Sequence, residues 1–363
     1  MKCLDNLDYI DHSVQHVLNP DLLTDQELLE QIKSDPNVHV FDQLEIQIAE
    51  LIKLRSPMVT FSKDAIQDEV RKFLKKHNGQ YGHWVYYPWN KHLVKILPEQ
   101  EFIEVRTIRN KYKITAEEQK ILQGKAIGVI GLSVGQSVAL GLAMERVFGE
   151  LRIADFDHLE LGNMNRIRTP LSNLGLKKTT LVKREIAEID PYLKVQVFGE
   201  GVNDENMEEF FCGEGSLDLL IEECDNIKMK IKSRLMAKSL GIPVLMDTSD
   251  RGMLDIERYD EEPSLPIFNG LLRELGEENK LLANFEKKEK QILGCILDFE
   301  RLSKRAKSSI GEIGKSITNW PQLASSVIMG GGFCTHLARE ILLGQPVKSG
   351  RFYVDLDEIV KKV

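Results

Sequence analysis

A strand that ends at Gly131 and turns directly into a helix constrains this chain more than any other stretch. Ala126-Ile-Gly-Val-Ile130 is a short apolar run, and Gly131-Leu132-Ser133-Val134-Gly135-Gln136 leads from it into a helical segment over about 136–147. Such a turn aims backbone N–H groups and the positive end of a helix at whatever sits there, which suits phosphate. The spacing departs from Gly-x-Gly-x-x-Gly: Ser133 and Gln136 hold the second and third glycine positions, and Gly135 comes one place early. Alone, the turn says only that a strand meets a helix tightly. Further apolar runs at 151–154, 195–198, 217–221 and 244–246 make it part of a series, with helical stretches between the later ones. Buried strands alternating with helices predict an α/β fold: a Rossmann-like, mostly parallel sheet with flanking helices and right-handed crossovers. Residues 254–259 read as a partly exposed strand and about 260–320 as a charged, irregular excursion. Residues 324–343 read as a small-residue helix and 350–355 as a final strand.

The first hundred residues carry a different pattern. Thr24-Asp25-Gln26-Glu27 has the form of a capping box opening a helix. Leu44, Ile48, Leu51 and Leu54 recur at helical spacing up to Pro57. Ser62 is placed to cap a third helix carrying Ile66, Val70, Phe73 and Leu74, which Asn78-Gly79 would stop. Residues 83–87 and 92–97 read as two strands of a hairpin around Pro88-Trp89-Asn90-Lys91. The aromatics Trp84, Tyr86, Tyr87 and Trp89 read as packing rather than as a ligand platform. The expected organisation is a small N-terminal α+β domain over 1–104 and a larger domain over 105–363, with an inserted crossover region at about 260–320.

Polar signals follow the Gly131 turn in order. Asp155 lies 24 residues beyond Gly131, at the end of the second strand, where a carboxylate can accept both hydroxyls of a ribose. Asn163 and Arg166 come just after, the latter with a planar fork of donors suited to a triphosphate. Lys178 opens the next helix. Asp225, in Glu222-Glu223-Cys224-Asp225-Asn226, follows the fourth strand at the ligand-binding edge of such sheets and suits magnesium. A dinucleotide site needs the first acid but not the others. An ATP-splitting site needs all of them, to hold a triphosphate, a metal and a developing charge.

With these residues in place, the stretch from about Arg106 to Tyr259, with 321–355, resembles the E1-like activating superfamily, whose bacterial members include the ThiF and MoeB adenylyltransferases. The resemblance rests on the Gly131 turn, Asp155-Phe156-Asp157, Asn163-x-x-Arg166, Gly175-x-x-Lys178 and Cys224-Asp225-Asn226. It is nearest to a bacterial branch whose turn reads Gly-Leu-Ser-Val-Gly. It implies an ATP-dependent adenylyltransferase that activates a carboxylate as an acyl-adenylate. Gly131, Leu132, Ser133, Asp155, Asn163, Arg166 and Lys178 would bind ATP, and Asp225 would bind magnesium. Arg106-x-x-Arg109 resembles a motif whose second arginine, here Arg109, would reach a partner's site, so a homodimer is expected. Arg109, Arg166, Lys178 and Asp225 would then be the catalytic set.

The chain departs from many relatives in having no C-x-x-C pair: Pro263-Ser264-Leu265-Pro266 stands near the first expected one, so no zinc is expected. Cys295, the cysteine of the crossover region, sits in an apolar setting that would quench a thiolate. A net charge of −8 argues against a nucleic-acid coat, and no apolar run approaches a membrane span, so the chain reads as cytoplasmic. The acceptor is left open among a ubiquitin-like carrier, a peptide and a small acid. A nicotinamide-dependent oxidoreductase would fit Asp155 but leave the later cations and Asp225 without a purpose. A non-catalytic nucleotide-binding scaffold would fit the altered glycines.

Overall fold

In the computed structural model, residues 10–77 and 81–360 are described. The N-terminal Cys3 and the Asn78-Gly79 helix stop lie outside them. Two compact units emerge. The first takes the described residues up to Ala116 together with Ala187–Tyr192, and the second takes Glu117–Ile186 and Leu193 onward.

The first unit is built on strands β1 (His16–Leu18), β2 (His39–Asp42), β3 (His83–Tyr87) and β4 (His92–Ile96), in the order β1-β3-β4-β2. The hairpin forms as expected, with β3 antiparallel to β4. Strands β1 and β2 were not legible in the sequence. All four residues of β2 are exposed, so no alternation marks it; parallel pairing to β4 defines it. Ser62 caps helix Lys63–Lys76 by accepting from the Ala65 N–H at 3.2 Å. The box at Thr24 does not form. Helix Leu23–Ser34 starts two residues earlier than a Thr24 cap would set it, with Leu22 at the N-cap and no side-chain cap, so Thr24 lies inside the first turn. Trp84, Tyr86 and Tyr87 are buried as packing residues.

The second unit holds a seven-stranded sheet: β5 (Ala126–Ile130), β6 (Glu150–Ala154), β7 (Lys194–Phe198), β8 (Leu219–Glu222), β9 (Val244–Thr248), β10 (Met253–Glu257) and β11 (Gly350–Tyr353), ordered β11-β10-β9-β8-β5-β6-β7. The five strands β5 to β9 are parallel, and β10 and β11 are antiparallel additions at one edge. Strand β8 runs to Glu222, one residue past the apolar run, because Lys230 and Arg234 neutralise that carboxylate inside the protein. Helices Gly135–Glu145 and Ala324–Leu342 cross closely. A Cβ at Gly141 would overlap Thr335, and one at Gly331 would meet the Ser137 Cβ at 2.8 Å. The crossover region contains helices Phe285–Leu297 and Lys304–Ile310. It is less an excursion than expected, since Ile267, Phe268, Leu272, Ile292 and Ile296 join the main core.

Candidate nucleotide site

Parallel pairing sets Ile130 opposite both Ala154 and Glu222, so Gly131, Asp155 and Glu223 leave three neighbouring strands abreast. Strand order reverses around β5, with β6 on one side and β8 on the other, which is where open α/β sheets hold ligands. A pocket of about 120 Å³ opens there, walled by Gly131, Leu132, Ser133, Asp155, Glu223 and Asp225 among others. Gly131 has φ +88°, and a Cβ would stand 2.7 Å from the Glu223 carbonyl and the Cys224 nitrogen. A side chain there meets both left-handed strain and a backbone.

Asp155 is buried and aimed by two backbone donors, Leu132 N–H at 2.7 Å to one oxygen and Asp157 N–H at 2.8 Å to the other. Burial raises its pKa, while those bonds and Lys178 oppose the rise. Each oxygen keeps a lone pair for a further donor such as a ribose hydroxyl. Lys178 begins helix Lys178–Ile189 and is itself buried; its ammonium donates to Ser133 Oγ at 3.0 Å and Asp157 Oδ2 at 2.8 Å. The serine in a glycine position thus ties the lysine to the turn. Asn226 caps helix Ile227–Leu240 by accepting from Met229 N–H at 3.0 Å, which leaves the exposed Asp225 carboxylate at the pocket.

Other expected residues fall differently. Arg166 is outside the pocket wall. Burial lowers its pKa, the charge of Asp225 opposes this, and its Nε is buried without a hydrogen-bond acceptor. Asn163 accepts from the Glu160 N–H at 3.0 Å, closing its own short turn. Arg109 is exposed on a short turn in the first unit, whereas Arg106 pairs with Asp190 at 3.7 Å within that unit. Cys295 is half-buried against the core, and burial raises its pKa, so the thiol stays protonated.

The sequence reading passed over what lies behind the pocket wall. Continuing the β8–β9 register brings Glu223 to Asp247, whose N–H donates to Glu223 Oε1 at 2.9 Å. Cys334, on helix Ala324–Leu342, places its sulfur 4.0 Å from Asp247 Oδ1. All three are buried. Burial and the neighbouring Asp247 push the Glu223 carboxyl well above its usual range, and burial lifts Asp247 to about 7. No spacing joins residues 223, 247 and 334; only their adjacency in the fold reveals them.

Residues 106–252 match the ThiF family. An uncharacterized protein of Mycobacterium tuberculosis is 38% identical over 347 residues, 96% of this chain and 46% of its own length. This chain therefore spans less than half of that relative. The tRNA threonylcarbamoyladenosine dehydratase of Bacillus subtilis is 25% identical over 243 residues, 64% of this chain and 94% of that enzyme. The crystal structure of Escherichia coli MccB with MccA-N7isoASN shares the fold, with a TM-score of 0.51 at 15% identity over 86% of each chain.

Proposed function

Residues 106–252 form a ThiF-family segment of the E1-like activating superfamily, and on that premise we propose that the chain is an ATP-dependent adenylyltransferase. A substrate carboxylate oxygen attacks the α-phosphorus of ATP; the bond from that phosphorus to the bridging oxygen breaks, and pyrophosphate leaves. An acyl-adenylate results, with no protein nucleophile in the step. The observation that carries the reading is the convergence of Asp155, Asp225 and the Ser133-bound Lys178 on one turn at the sheet's switch point.

Asp155 takes the ribose, and the Gly131-Leu132-Ser133 turn faces the phosphates. Lys178 and Arg166 balance the charge that moves onto the leaving pyrophosphate, and the unpaired Arg166 Nε suits that anion. Asn163 serves by shaping the turn that carries Arg166. Asp225 supplies a hard carboxylate that its neighbour's cap leaves free, and it would hold magnesium, which when bound draws charge from phosphate oxygens. Arg109 comes from the second chain of a homodimer, and the substrate is the carboxyl end of a carrier protein or peptide, or a small acid. ATP–pyrophosphate exchange across such candidates tests the activity. Asp225→Asn should abolish the exchange while keeping the wild-type unfolding midpoint. Full exchange in that variant with the true substrate removes the assignment of Asp225.

A further inference from the structure

The buried trio behind the pocket wall has a donor set that no part of the adenylation reading uses. We propose that Glu223, Asp247 and Cys334 form a buried divalent transition-metal site, suited above all to zinc. Their ligand atoms all lie within 4.8 Å of one another. The 4.0 Å between Cys334 Sγ and Asp247 Oδ1 is a span that Zn–S and Zn–O bonds of about 2.3 and 2.1 Å bridge at an angle of about 130°. Tetrahedral angles bring such ligand atoms to about 3.5 Å from one another, so the three side chains draw inward around a bound ion. One thiolate with two carboxylates suits zinc; magnesium and calcium take oxygen ligands alone.

A second observation points to a ligand. Asp247 is 4% exposed, and its Oδ2 has no hydrogen-bond partner. A buried carboxylate oxygen left unpaired is costly unless a cation or proton answers it. Lys230, whose field reaches both carboxylates, is already bonded to both oxygens of Glu222. A Cβ at Gly330 would overlap Asp247 Oδ2, so glycine one turn before Cys334 lets the Asp247 carboxylate lie directly against the helix that carries the cysteine. Glu223 belongs to the pocket wall as well, so the trio borders the pocket. The site is independent of C-x-x-C pairs, because the loop just after β8, strand β9 and a distant helix each supply one ligand.

The test uses the full chain, stripped with a chelator, dialysed and titrated with zinc alone in the absence of nucleotide. Calorimetry should find one zinc per chain. Cobalt(II) in its place should give near-ultraviolet thiolate-to-cobalt absorption. Cys334→Ser should remove that absorption and weaken zinc by more than about 100-fold, beyond the loss expected from an outer partner. Asp247→Asn should weaken zinc while circular dichroism stays native, and Asp225→Asn should leave uptake unchanged. Absence of stoichiometric zinc in the intact chain, cobalt absorption that survives Cys334→Ser, or zinc lost with Asp225→Asn overturns the site. Failed pyrophosphate exchange leaves it standing, so the two readings fail separately.

Discussion

Lys178 shows how burial and pairing specify a single side chain. A buried ammonium is tolerated only when bonded, and this one has the Asp157 carboxylate and the Ser133 hydroxyl. Those bonds fix its head beside the turn, so a phosphate would meet a donor already in place. Lys178→Met keeps the length and removes the charge. Pyrophosphate exchange should fall by about 10²–10³, the usual loss for one preorganised donor; a drop under threefold makes the lysine structural. Asp155→Ala removes the acceptor aimed at a ribose, and adenosine affinity should fall with it. Calorimetry finding unchanged ATP affinity would unseat Asp155. The acids at 155 and 225 could be set at the sheet's carboxyl edge from sequence because Asp155 directly follows β6 and Asp225 stands three residues beyond β8. The local duty of Asn163 could not be read from sequence, since a side chain's choice between its own turn and a ligand depends on distances that spacing does not contain.

Among the elements, the strand β8 with its following helix carries a buried charge network. Arg234 bonds Glu222 at 2.5 Å and Glu257 at 2.6 Å, with all three side chains excluded from solvent. Burial would raise the Glu222 carboxyl, but Lys230 and Arg234 overcome that and hold it at about 2. Glu257 also accepts from the Phe268 N–H at 2.6 Å, and the Arg234 guanidinium lies 4.0 Å over the Phe268 ring. The network therefore ties the pocket strand to the start of the crossover region, where Phe268 and Asn269 hold left-handed φ near +50°. Arg234→Met leaves two buried carboxylates short of a partner and should cost about 3–5 kcal/mol, read by urea unfolding. A loss below about 1 kcal/mol means that the network contributes little to stability. Helix and strand limits came close to the sequence reading wherever apolar runs were clean. They slipped where a charged residue such as Glu222 continued a strand, because its neutralising partners lie elsewhere in the chain.

For the whole molecule, the open matter is what a second chain contributes. Arg109 is exposed in the first unit, and the resemblance assigns it to a partner's site. Arg109→Ala and Asp225→Asn chains should each be inactive, yet a mixture should regain exchange, since one site of a mixed dimer combines intact Arg109 with intact Asp225. Mixed dimers that form and stay inactive exclude the trans arginine, and a monomer at micromolar concentration excludes it outright. No described helix is long and apolar enough to cross a membrane. The sequence by itself determined the strand–helix alternation, the Gly131 turn and the order of the polar residues. Apolar runs and their punctuation are local, and hydrophobic burial converts them into strands and helices with little choice. Tertiary structure alone decided that Ser133 binds Lys178, that β2 exists, and that Glu223, Asp247 and Cys334 meet. Each of those depends on which strands lie side by side and in what register, and residues far apart in the chain acquire a shared environment only when the sheet assembles.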